Sequence, residues 1–360
     1  MKNKLLISAL VLTILVSCTS DKSNSDTDIV LPPVIPPVVN ITSLKQASIP
    51  FGVACSPSPL KTDALYRETI INHTSSLTAE NCFKPARISL GRKQYFWDDC
   101  DYMVNFAIQN NLRLHGHTLN WYSASGVPTW VSNFVGTKEE WILIMKEYIQ
   151  DVVGRYKGKI KSWDVVNEPF ETTGVLRNSI WKQNIGDEYI DLAFQFAHEA
   201  DPEAILFINE FGTEYSIPKR TALLNLSNRL VASNIPINGI GLQFHTSISR
   251  SEIDIRTTIL TMASTKLKIH ISELDVEINP SNVTPFVITD ALLLSQKRIY
   301  SYVTKVMLEI PKNQQFGITT WGISDAVSWK KNDPDFPLLF DLAYKPKPAY
   351  YGMIDSFNQK

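Results

Sequence analysis

From about residue 48 onward, short apolar runs alternate with longer stretches whose apolar residues recur at helical spacing. The runs fall at 49–54, 75–79, 112–119, 160–166, 205–209, 239–244, 266–274 and 316–321. Short, apolar and bounded by turn residues, they read as buried strands. Between them, Trp141, Ile144, Met145, Tyr148, Ile149 and Val152 share one face of a predicted helix over 139–156. Tyr189, Leu192, Ala193, Phe196 and Ala197 do the same over 188–200, which Asp187 and Asp201-Pro202 punctuate. Two further helical stretches, 285–308 and 348–357, complete the set. Eight strands, each followed by a helix, without internal repeat or second linker, predict an α/β protein of one domain, a (β/α)8 TIM barrel. An open doubly wound sheet is the alternative. It calls for a Gly-rich phosphate turn after the first strand, which Phe51-Gly-Val-Ala-Cys-Ser-Pro57 does not supply.

The first 45 residues break the pattern. Lys2 and Lys4 precede an apolar run over 5–16 that is too short to span a bilayer comfortably, so residues 1–17 read as a signal peptide. The run ends in Leu15-Val-Ser-Cys18, which resembles the lipobox of bacterial lipoproteins and implies lipidation at Cys18. Thr19 stands where an inner-membrane retention signal would have Asp. An outer-membrane lipoprotein, at the cell surface or on the periplasmic face, is therefore expected. Residues 18–45 are Ser/Asp/Thr-rich and then Pro-rich, the composition of an extended tether, and the folded domain is expected over 46–360.

A formal net charge of −1 over 360 residues gives no electrostatic case for nucleic acid or for a charged membrane surface, so membrane contact is expected through the lipid alone. With no exposed heptad or large apolar patch in the pattern, a monomer is expected. Cys55, Cys82 and Cys100 are an odd set; buried free thiols are expected, with a Cys55–Cys82 pair as the alternative. No HExxH, CxxC pair or Walker loop is present, so neither a metal nor a cofactor is predicted.

Polar residues crowd the predicted carboxyl ends of the strands, where barrels of this kind build their sites. The second strand runs into Thr78-Ala-Glu-Asn-Cys-Phe-Lys-Pro85, the third ends in His115-Gly-His-Thr-Leu-Asn-Trp121, and the fourth ends in Asn167-Glu168-Pro169. The fifth ends in Asn209-Glu210, the sixth in Gln243-Phe-His245, the seventh in Ser272-Glu-Leu-Asp275 and the eighth in Thr320-Trp321. Gathering amides, imidazoles, carboxylates and indoles on one rim costs desolvation unless it serves chemistry. A salt-bridged strand-end Glu is the structural alternative for Glu168 taken alone.

Glu168 and Glu273, on the fourth and seventh strands, face each other across the barrel mouth in this scheme. Glycoside hydrolysis needs such a pair, one protonated and one ionised. Asp275 falls on the same strand face as Glu273 and could hold His245 against it. Trp121, Trp321 and Trp329 supply flat indoles for the apolar faces of sugar rings. His117 has no second ligand at metal-binding spacing and reads as a hydrogen-bonding residue.

Taken together, Ala79-Glu-Asn-Cys-Phe-Lys-Pro85, His115-Gly-His-Thr-Leu-Asn-Trp121, Trp163-Asp-Val-Val-Asn-Glu-Pro169, Gly239-Ile-Gly-Leu-Gln-Phe-His245, Ile271-Ser-Glu-Leu-Asp275, Thr320-Trp-Gly-Ile-Ser-Asp325 and Pro337-Leu-Leu-Phe-Asp341 carry a specific resemblance. Over roughly residues 48 to 357 the chain resembles glycoside hydrolase family 10, the endo-β-1,4-xylanases. The resemblance implies a retaining enzyme on xylan, with Glu168 as acid/base and Glu273 as nucleophile. It implies that Asn167 binds the 2-hydroxyl of the reacting sugar, and that Glu80, Asn81 and Lys84 bind sugars on the non-reducing side. His117 and Gln243 would line the reacting subsite. His245 and Asp275 would support Glu273, and Trp321 and Trp329 would stack on sugar. Tyr122, Phe211 and Lys330 depart from the family pattern, which usually has His, Tyr and Arg there; these departures bear on subsite affinity. Two alternatives stay open: an endo-β-1,4-glucanase or mannanase on the same barrel, and a lipid-anchored glycan-binding protein that does not cut.

Overall fold

The computed structural model describes residues 40–333 and 335–359. The expected signal peptide, Cys18 and residues 19–39 of the expected tether lie outside them. Strands and helices alternate as β1 (Phe51–Cys55), α1 (Ala64–His73), β2 (Ser76–Ala79), α2 (Asp98–Gln109), β3 (Arg113–Trp121), α3 (Lys138–Arg155), β4 (Ser162–Asn167) and α4 (Tyr189–Ala200). They continue as β5 (Ile205–Glu210), α5 (Ile217–Ala232), β6 (Gly239–Leu242), α6 (Glu252–Ala263), β7 (Lys268–Glu277), α7 (Asp290–Glu309), β8 (Gln315–Thr320) and α8 (Pro348–Asn358). Each strand pairs in parallel with the next, and β8 pairs with both β7 and β1, so the sheet closes into the expected (β/α)8 barrel.

The local causes are ordinary. α3 starts one residue before its predicted range because Thr137 and Glu140 form a capping box. The strands are buried on both faces because helices cover the outside and side chains fill the inside. Gly116 on β3 is required by packing: a Cβ there would lie 2.1 Å from the Trp163 ring of β4.

Residues 40–45, ahead of the start expected at 46, pack with the body: Leu44 is fully buried and the segment is tied to α8. The Ile41 amide donates to Asn358 Oδ1 (2.8 Å), and the Leu44 amide donates to the Tyr350 hydroxyl (3.3 Å). These partners lie some 300 residues away in the chain, so local composition cannot announce them. Cys55, Cys82 and Cys100 are buried free thiols.

Strand register slips by one residue near the carboxyl ends of β3, β4 and β7, between His117 and Asn120, Asp164 and Val166, and Ile271 and Leu274. Bulges of this kind re-aim side chains at barrel rims. The slip in β4 lets Asp164 and Asn167, an odd number of residues apart, both reach the barrel interior.

Candidate active site

Glu168 leaves β4 in the left-handed region, with φ 54, rather than in the extended geometry usual before proline. The turn is held from two sides. The Glu168 amide donates to the Asn209 carbonyl (2.8 Å), and Arg177 Nε donates to the Glu168 carbonyl (3.0 Å). The Glu168 carboxylate accepts from Trp121 Nε1 (3.0 Å) on one oxygen and from Gln243 Nε2 (3.0 Å) on the other.

Glu273 stands within β7 and is buried. Its Oε1 accepts from Asn209 Nδ2 (2.7 Å), and its Oε2 lies 3.3 Å from His245 Nε2. Phe244 (φ 57) turns the chain after β6, so that His245 begins a short strand that pairs with β7 opposite Asp275. His245 Nδ1 is then 2.9 Å from Asp275 Oδ2, which also accepts from Trp329 Nε1 (2.8 Å). Burial pushes the His245 imidazole down, but the carboxylates of Asp275 and Glu273 more than reverse that and hold it well above its usual value. In turn, burial would raise the Glu273 carboxyl, but the hydrogen bond from His245 and the charges of His117 and His245 bring it below the ordinary value. Glu273 is therefore held as an anion beside a cation.

The two carboxylates are also joined by neutral amides. Asn209 Nδ2 donates to Asn167 Oδ1 (2.9 Å) as well as to Glu273, and Gln243 Nε2 reaches Asn167 Oδ1 (3.3 Å) as well as Glu168. Glu168, Glu273, Asn167, Gln243, His117 and His245 line one cavity of about 300 Å³. Lys84, Trp121, Trp321 and Trp329 complete the expected part of its wall. Trp321 is almost buried, whereas Trp329 is exposed at the rim.

Glu80 and Asn81 line two neighbouring cavities instead. They are linked to the first through Trp321, which it shares with the Glu80 cavity, and through Lys84, whose Nζ donates to Asn81 Oδ1 (3.0 Å). Burial lowers the Lys84 ammonium pKa, against the attraction of Glu273, Glu80 and Glu168. Of the residues grouped on the rim, His115 does not reach the cavity. It sits inside the barrel against Phe207, Phe316 and the Ser162 hydroxyl.

The three departures have definite surroundings. Tyr122 and Phe211 line the cavity. The Arg177 guanidinium lies 4.1 Å from the Tyr122 ring centre, and Lys219 Nζ lies 3.2 Å from that of Phe211. Lys330 pairs with Glu277 beside Trp329.

Asn209 and Asp164 had no role assigned from the sequence. Asp164 accepts from His117 Nδ1 (2.9 Å) and lies 3.0 Å from His115 Nε2. Burial would raise its carboxyl, but the two imidazoles hold it well below the usual range. The position of Asn209 at a strand end was the available signal; Asp164, inside a strand, carried none. Among the described residues, no cluster of three or more His, Cys, Asp or Glu is placed to hold a metal ion.

The Glycosyl hydrolase family 10 model matches residues 40–356. Endo-1,4-beta-xylanase C of Paenibacillus barcinonensis is 35% identical over 337 residues, covering 86% of this chain and 31% of its own length. Exoglucanase XynX of Acetivibrio thermocellus is 33% identical over 330 residues, covering 88% of this chain and 29% of its own. The chain thus spans less than a third of the length of these two curated relatives. Among solved structures, xylanase 10B of Thermotoga petrophila RKU-1 in complex with xylobiose superposes with a TM-score of 0.82 at 31% identity, covering 89% of this chain and 98% of that one. A closed barrel, a rim that joins two carboxylates in one cavity, and a match running from the first described residue into the last helix lead to one assignment: the chain belongs to glycosyl hydrolase family 10.

Proposed function

We propose that this protein is a retaining endo-β-1,4-xylanase in which Glu168 is the acid/base and Glu273 the nucleophile. The observation that carries the reading is the unequal environment of two carboxyl groups in one cavity. Glu273 is kept anionic by His245 and Asn209, while the Glu168 carboxylate accepts an indole N–H and an amide N–H and, among the described residues, forms no ion pair. In the first step Glu273 attacks the anomeric carbon as Glu168 gives its proton to the departing glycosidic oxygen. In the second, Glu168 takes a proton from the water that releases the sugar. Asn167 would hold the 2-hydroxyl of the reacting sugar, with His117 and Gln243 beside it. Glu80, Asn81 and Lys84 would bind toward the non-reducing end, and Trp321 and Trp329 would stack on rings. Xylan or xylo-oligosaccharides as substrate agree with the xylobiose complex of the Thermotoga petrophila protein.

The test is Glu273→Ala on linear xylo-oligosaccharides. The variant should lose hydrolysis while melting as the parent does; full activity would remove Glu273 as nucleophile. A second reading, β-1,4-glucan as substrate, is favoured by the name of the Acetivibrio thermocellus relative. Reducing-sugar release from xylan against carboxymethylcellulose separates the two. Binding of xylo-oligosaccharides without cleavage over long incubation would support a non-catalytic glycan-binding role.

Lipid anchoring at Cys18 to the outer membrane rests on the Leu15-Val-Ser-Cys18 run. Metabolic labelling with a fatty-acid analogue, and release of a Cys18→Ala variant into the soluble fraction, test it. Sedimentation of the folded domain tests the monomer.

A further inference from the structure

Three cavities lie in series along the rim. Trp321 is shared by the cavity of Glu168 and Glu273 and by a second of about 260 Å³ that holds Glu80. Ser56 is shared by that second cavity and a third of about 370 Å³. The Ser56 hydroxyl donates to Glu80 Oε2 (2.8 Å), and Asn81 in the third cavity accepts from Lys84 in the first. The cleft therefore continues past the residues expected to bind sugar on the non-reducing side.

The third cavity is lined by Ser58, Asn81, Arg87, Phe96 and Asp99 as well as Ser56. Phe96 is 44% exposed, an open ring face of the kind that stacks on a pyranose. The carboxylate of Asp99 is already engaged by Lys61 at 2.8 Å. Arg87 is exposed, and among the described residues no acceptor takes a hydrogen bond from its guanidinium. A planar double donor with no protein partner, beside hydroxyls and a bare aromatic ring, fits a sugar that carries a carboxylate.

We infer that the third cavity is a side-group subsite in which Arg87 recognises the carboxylate of a uronic acid borne by the xylan chain on the non-reducing side of the cut, with Phe96 under the sugar ring. This rests on the reading of the protein as a xylanase. Because Arg87 is exposed, the pair is worth little more than a surface ion pair, a preference of about fivefold. It should also be screened by salt.

The experiment compares three substrates: linear xylohexaose, native glucuronoxylan, and the same glucuronoxylan after reduction of its carboxyl groups. The parent protein should show a kcat/KM about fivefold higher on native than on carboxyl-reduced polymer, and molar salt should abolish the difference. Arg87→Gln should cut both polymers alike while keeping the parental rate on xylohexaose, and Arg87→Lys should keep part of the preference. Equal rates of the parent on the two polymers would overturn the inference. So would a preference that survives in Arg87→Gln, or an Arg87→Gln variant slowed equally on all three substrates, which would mark a structural role or a neutral subsite. Failure of the parent to cut xylohexaose would instead count against the xylanase reading. In that case calorimetry with a uronate-bearing xylo-oligosaccharide still decides, since binding must weaken in Arg87→Gln or the subsite is refuted.

Discussion

Asn209 is the side chain through which the two carboxylates are set relative to each other, and its removal is a demanding test. Its amide nitrogen donates to Glu273 Oε1 (2.7 Å) and to Asn167 Oδ1 (2.9 Å), while its oxygen accepts from the Ser272 hydroxyl (2.7 Å). Asn209→Ala removes all three at a fully buried position. The bond to the Glu273 carboxylate is charge-assisted and worth about 1.5–3 kcal/mol; the stranded Ser272 hydroxyl costs about 1–3 kcal/mol more. Water entering the vacated space recovers part of this. A net loss of about 3 kcal/mol, or on the order of 5 °C in melting temperature for a domain of this size, is expected. Catalysis should suffer separately. Among the described residues the Glu273 carboxylate would keep only the 3.3 Å contact to His245, and a reacting group loosened in this way costs about 10²-fold in kcat/KM. The assay is steady-state kinetics on linear xylo-oligosaccharides beside calorimetric melting. Asn209→Asp is the companion variant: it conserves volume but sets a second carboxylate against Glu273, so its activity should fall at pH 7 and partly recover in acid. Parental kcat/KM and melting temperature in Asn209→Ala would refute the argument.

Asp275→Asn should lower the pH at which His245 loses its proton, because Asp275 is the stronger of the two carboxylates that raise it. The raised imidazole stabilises the fold fully below about pH 6.5 and ceases to do so as pH climbs through its folded value. The melting deficit of the variant should thus be largest near pH 6 and shrink on the alkaline side; histidine ¹⁵N NMR showing an unchanged titration would contradict this. Glu214 has its carboxyl pushed up to about 7 by burial, so between pH 4.5 and about 7 its ionisation is borne by the unfolded chain alone, and the cost is fully present above that window. Glu214→Gln should therefore stabilise by on the order of 2 kcal/mol at pH 8 and not at pH 4 in denaturant unfolding, and equal effects at both would dismiss the idea. Trp121→Phe removes the indole donor to Glu168 Oε2. It should slow substrates with poor leaving groups by about tenfold and spare activated aryl glycosides; equal slowing of both would exclude a role through Glu168.

The strand and helix pattern was readable because each element carries its own cause. Eight apolar runs with helical stretches between them admit few packings other than a closed parallel barrel, and the predicted segments overlap all eight strands of the structure. Rim chemistry was equally open to reading, since polar residues that end apolar strands can only gather at one mouth. The same logic placed Glu168, Glu273, His245 and Asp275 near that mouth, and the structure brings them together there.

What local pattern could not show was the effect of a bulge or of a distant partner. Strict alternation would send Asp164 and Asn167 to opposite faces of β4, and a one-residue bulge brings both inward, where Asp164 fixes His117. Leu44 lies in a polar stretch, yet it packs against the body because Tyr350 and Asn358 receive its neighbourhood from the far end of the chain.

The amino-acid sequence by itself determined which elements form and which residues reach the mouth of the barrel, because periodicity and turn chemistry act within a few residues. Tertiary structure alone decided the hydrogen-bond partners and charge states at the site. Asn209 bridging two carboxylates, and His245 held as a cation between Glu273 and Asp275, exist only once strands far apart in the chain close into one ring.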